Sequence, residues 1–145
     1  MIALGPSMII PGRHHPLRSA EAVKTRIDAG ARVTDAVGAL ELIFACLADV
    51  FRAVNADLDD QVQAIEDELL KDRPSPDART FINSRSLMVR MHRLYGGSRA
   101  AFRRMEDEVE APEPYLKAFS RFAARLSTID ADLLAIQSQL RLLRD

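Results

Sequence analysis

Few residues in this chain have the types and spacing that chemistry needs. His14 and His15 stand in Arg13-His14-His15-Pro16, just after a short apolar run, and two imidazoles at a strand exit can help to hold a zinc ion. Neighbouring strand residues point to opposite faces, which argues against both rings reaching one metal and for an ordinary strand exit. The carboxylates Asp57, Asp59, Asp60, Glu66, Asp67 and Glu68 supply oxygen ligands of the kind that hard cations such as magnesium take. The same run is also what a solvated helix face looks like, and a chain reversal near Arg73-Pro74 would set Arg79, Arg85, Arg90 and Arg93 beside it. Between Arg85 and Arg104 stand six arginines and His92 with no acid. That stripe could grip phosphates, but it lacks interleaved aromatics and has acids nearer than any phosphate, so nucleic acid is not an expected partner. Met88, Met91 and Met105 fall at heptad spacing among Phe and Tyr, which places them in a core before a binding groove.

The signatures of common enzyme chemistry are missing: there is no P-loop, Gly-x-Gly-x-x-Gly, Cys-x-x-Cys, His-Glu-x-x-His or Gly-x-Ser-x-Gly. The single cysteine, Cys46, lies in the apolar run Leu42 to Leu47 and reads as a small packed hydrophobe in a reducing setting. No enzyme and no required cofactor are expected. The 145 residues carry 20 Lys and Arg against 21 Asp and Glu, a net charge of −1. That balance leaves no overall field to recruit nucleic acid or an anionic membrane. No apolar stretch approaches the roughly 20 residues a bilayer-spanning helix needs.

The elements that must position these residues are mostly helical. Ile2 to Leu4 and Met8 to Ile10 flank Gly5-Pro6-Ser7, predicting a β-hairpin of two marginal strands. Ser19 can cap a short helix that Gly30 stops near Ala29. From Thr34-Asp35 to about Lys71, apolar residues at Leu40, Phe44, Leu47, Phe51, Val54, Leu58, Val62, Ile65 and Leu69 step by four and three, predicting one long amphipathic helix. Ser75-Pro76-Asp77 restarts a helix, with Phe81, Met88, Tyr95, Phe102 and Val109 repeating every seven residues through Gly96-Gly97. Pro112 and Pro114 mark the next break. The last stripe runs Phe119, Phe122, Leu126, Ile129, Leu133, Ile136, Leu140 and Leu143. The fold class is therefore mainly α, built on long antiparallel helices with a short N-terminal β-hairpin. The chain divides into a hairpin over 1–18, a short helix with a long helical hairpin over 19–110, and the start of a further helix over 111–145.

This order of elements resembles the cytoplasmic part of the CorA/ZntB-type divalent metal ion transporter family. The resemblance rests on Ile9-Ile10 leading into Arg13-His14-His15-Pro16-Leu17-Arg18-Ser19, and on Leu58-x-x-Gln61-Val62-x-x-Ile65-Glu66-Asp67-Glu68-Leu69-Leu70. The Arg-rich helix around Leu94-Tyr95 and the ending Leu140-Arg141-Leu142-Leu143-Arg144-Asp145 complete it. It implies a funnel and stalk on the cytoplasmic side of the cell membrane, truncated before the transmembrane helices, in a protein that assembles as a homopentamer and moves zinc or magnesium. The family's Gly-Met-Asn signature is absent, so these residues alone would be transport-incompetent and would meet the membrane only through missing segments. Ser120-Arg121 stands where an acid of the magnesium-gated members would be wanted, which favours the ZntB-like branch. Any metal held by the chain itself would be sought at His14 and His15. The same periodicity also suits a coiled-coil or helical-bundle adaptor, or a regulatory bundle acting on an enzyme.

Two packing expectations follow. Counting outward from the turn sets Gly96 near Phe51, where small residues would let the two long helices approach closely. If those helices saturate each other, Leu133, Ile136, Leu140 and Leu143 are left exposed and drive self-association through the last helix.

Overall fold

The computed structural model describes residues 2–5, 9–11, 18–70 and 78–143. Strands β1 (Ile2–Leu4) and β2 (Ile9–Pro11) pair antiparallel, with Ala3 opposite Ile10. Helices α1 (Arg18–Asp28), α2 (Ala36–Leu70), α3 (Ala78–Glu108) and α4 (Glu113–Leu142) follow.

Local chemistry sets the helix ends. α1 closes in a Schellman motif: Ala31 N–H donates to Arg26 O and Gly30 N–H to Ile27 O, while Gly30 takes φ +96°, a conformation that costs other residues a Cβ clash. Ser19 lies inside this helix, whose start is one residue earlier than the expected cap. Asp35 caps α2, its Oδ1 accepting from Gly38 N–H at 2.7 Å. Pro112 stands at the N-cap of α4, with Glu113 in the first turn.

The long helices form a three-helix bundle in which α3 runs antiparallel to α2 and α4. Phe44 meets both Phe102 and Phe122, Asn55 reaches Ile129, and Ser84 reaches Gln61. α4 packs extensively along α3 and along α2, whereas the backbones of α2 and α3 approach each other at few points. Large side chains fill that gap. Phe51 is buried with its ring centroid 5.0 Å from that of Tyr95, which bears out the antiparallel register expected from the turn. The proposed reason for the glycines is not borne out. A Cβ at Gly96 or Gly97 would meet nothing within 4 Å, so no close approach requires them and each costs α3 about 1 kcal/mol relative to Ala.

The final stripe also departs from expectation. Leu133, Ile136 and Leu140 are buried within the chain and Leu143 is half-buried against the same core. Because α2 and α3 diverge, α4 closes the bundle between them, and the seam expected to drive self-association is already satisfied. Cys46 is free and buried, and Met88, Met91 and Met105 pack in or against the core, as their spacing suggested. α1 lies on α2, tied by an ion pair between Arg26 and Asp49. The hairpin is fastened to the bundle by Tyr115, whose hydroxyl donates to Gly5 O at 2.8 Å.

Candidate functional site

The bundle interior is apolar except at its middle. There α2 contributes Asn55, α3 contributes Tyr95, and α4 contributes Asp130, all buried. Asn55 Nδ2 donates to Ile129 O at 2.8 Å, and the Tyr95 hydroxyl donates to Asn55 Oδ1 at 3.0 Å. Asp130 Oδ1 lies 2.7 Å from His92 Nδ1, and its Oδ2 lies 3.7 Å from an Arg99 guanidinium nitrogen. His92, Tyr95 and Arg99 are spaced i, i+3 and i+7, so one face of α3 presents them together. Toward the end of α2, the buried Ser84 links α3 to α2 at the bundle's edge, its Oγ donating to Oε1 of the exposed Gln61 at 2.8 Å. Among the described residues no buried side-chain polar atom lacks a partner.

This geometry supports positioning rather than reaction. Burial first, and then the charge of Asp130, raise the Tyr95 phenol to about 12, so it holds its proton at neutral pH and serves as a fixed donor. Among the described residues no group of three or more His, Cys, Asp or Glu could hold a metal ion. A polar node of this kind penalises any sliding of one helix past another, because a shifted register would strand buried donors and acceptors.

The residues singled out from sequence are dispersed. His14 and His15 lie outside the described residues. Asp57, Asp60, Glu66, Asp67 and Glu68 are exposed around the second half of α2. Asp59 is half-buried and accepts from Gln63 Nε2 at 2.9 Å. Among the described residues no ion pair joins Arg85, Arg90 or Arg93 to these acids, so the charge-neutralising packing expected across α2 and α3 is not found for them. The reason is rotational: Arg85, Arg90 and Arg93 line an outer groove of α3 with Phe81, Ile82 and Val89, while Ser84 is the residue turned toward α2. Arg121 pairs instead with Glu41 of α2 at 2.8 Å. Sequence reasoning missed Asn55, Ser84 and Asp130. The signal was there, since each interrupts or abuts an apolar stripe at a position one helical turn from core residues.

Among the described residues the long helices form a bundle whose buried polar side chains are all partnered. The chain belongs to the CorA-like Mg2+ transporter protein family, whose family model matches residues 1–145. This is a family of transport proteins and not of enzymes. No curated protein matches the chain. Among the described residues no helix is long and apolar enough to cross a membrane.

Proposed function

We propose that the chain forms the cytoplasmic scaffold of a CorA/ZntB-type divalent cation transporter and contains no permeation path of its own. In this proposal it works as a homo-oligomer, a pentamer in the intact transporter, and meets the membrane only through segments outside these residues. The observation that carries it is the family match over all 145 residues in a chain whose described helices each keep a charged face and whose apolar stripes are spent on one another.

Zinc is the ion we favour over magnesium, within the ZntB-like branch. At the position where an acid would attract a hard cation the chain has Ser120-Arg121, and Arg121 is held by Glu41, so a cation there would meet positive charge. His14 and His15 remain the residues proposed for any zinc that the chain itself holds.

Calorimetry with zinc and with magnesium tests the scaffold role. The expected outcome is weak, non-stoichiometric heat for both ions, because the α2 carboxylates point around a helix instead of converging. A sub-micromolar zinc site that disappears in His14→Ala or His15→Ala would contradict a purely supporting role and make the chain an ion-binding element.

A further inference from the structure

The charges of α2 and α3 are segregated in sequence and left largely apart in the fold. From Ala53 to Leu70 there are six acids and no Lys or Arg; from Arg79 to Arg104 there are seven arginines and no acid. Within one chain this should collapse into interhelix ion pairs, yet at the level of Ser84 the two helices meet through the neutral pair Gln61–Ser84. Three of the arginines face elsewhere. Arg85, Arg90 and Arg93 flank an open groove floored by Phe81, Ile82 and Val89, with Ile82 62% exposed.

We infer that this groove receives the second half of α2 from a second copy of the chain. Charge complementarity is the first support, since the groove is rimmed by guanidinium groups and the α2 surface around Asp57, Asp60 and Glu68 carries only negative charge. Apolar complementarity is the second: α2 ends on Leu69 and Leu70, 40% and 78% exposed, at the end of the bundle where Ile82 is open. Height is the third. Gln61 lies opposite Ser84 and Asn55 opposite Tyr95, so Asp57 to Glu68 runs level with the stretch from the start of α3 to about Arg93. Copies related by rotation about an axis parallel to the bundle therefore bring acid to arginine with no shift along the axis. Such a contact is head to tail, uses two different patches, and can close into a ring. It names surfaces that the homo-oligomer proposed above leaves open, and it stands on charge placement whether or not the chain serves a transporter.

Sedimentation velocity on four samples tests it: wild type, Arg85→Glu/Arg93→Glu, Asp57→Lys/Asp60→Lys, and an equimolar mixture of the two variants. All four side chains are exposed, and circular dichroism checks that each variant remains helical. Wild type should associate at low salt, with affinity falling at least about tenfold as NaCl rises from about 0.05 M to about 0.5 M. Each variant alone should associate at least about tenfold more weakly than wild type, because reversing two charges of one patch removes most of its attraction for the other, and the mixture should recover association. A wild type that stays monomeric at tens of micromolar overturns the inference, as does association that is undiminished in either variant. Monomeric wild type that instead sediments with anionic lipid vesicles would give the arginine face to a membrane surface, and would equally overturn it.

Discussion

Replacing Phe44 by Ala should destabilise the protein by about 3–5 kcal/mol. The ring is buried where all three long helices converge. It stacks on Phe122 at a centroid distance of 4.4 Å and 10° between planes, meets Phe102 edge-on at 5.2 Å, and lies 6.1 Å from Phe119. Truncation removes the buried area of one aromatic and three ring contacts at once, each worth roughly 0.5–1.5 kcal/mol beyond area. The surrounding rings come from α3 and α4, so no single side-chain rotation refills the void. In urea the midpoint should fall with the slope unchanged, and on heating the transition should drop by on the order of 10 °C. The comparison is Ile82→Ala, an exposed position on α3, expected to shift stability by about 0.5 kcal/mol or less. Equal effects at the two positions would show that the aromatic cluster is not the core of the bundle.

Stability should fall between pH 10 and pH 12 through Tyr95. Its phenol is raised from 10.0 to about 12, first by burial and then by the neighbouring Asp130 charge. Below pH 10 the phenol is protonated in both folded and unfolded chains, and the contribution is fully present. Between 10 and 12 the unfolded chain releases the proton while the folded chain keeps it, so unfolding gains up to about 1.4 kcal/mol per pH unit from this group. Above 12 the loss levels off. Tyr95→Phe should cost about 1–2 kcal/mol at neutral pH by leaving Asn55 Oδ1 without its donor, and should flatten the alkaline slope relative to wild type. Urea midpoints for both proteins from pH 9 to 12 measure this; parallel slopes would place the phenol in contact with solvent.

Much of the bundle was legible in the sequence because its causes are local. The stepping of Leu40, Phe44, Phe51, Leu58, Val62 and Ile65 fixed the buried face of α2 by helical period alone, and Asp35 and Gly30 act within one turn of themselves. Counting from the turn also set Gly96 near Phe51, within one residue of Tyr95, whose ring Phe51 meets. What local pattern could not reveal was how three stripes share one interior. Pairing α2 with α3 first left Leu133, Ile136 and Leu140 exposed, whereas α4 covers both helices and buries them. The polar node was hidden for a related reason. Asn55 finds its backbone acceptor 74 residues away and its phenol donor 40 residues away, so nothing near it in sequence shows that a buried amide is satisfied. The rotation of α3 likewise decides that Ser84 faces α2 while Arg85 and Arg93 face outward, and the sequence of α3 alone does not choose between those orientations.

A scaffold of a divalent cation transporter that has no permeation path of its own makes one direct demand on an ion-flux measurement. Purified chain is combined with sealed vesicles enclosing a dye sensitive to zinc or to magnesium, and each ion is applied outside as a gradient. Dye response in the presence of the chain should equal that of empty vesicles for both ions, at every protein-to-lipid ratio that keeps the vesicles intact. A saturable influx of either ion that scales with the amount of chain would contradict it, and would show that these 145 residues build a pore.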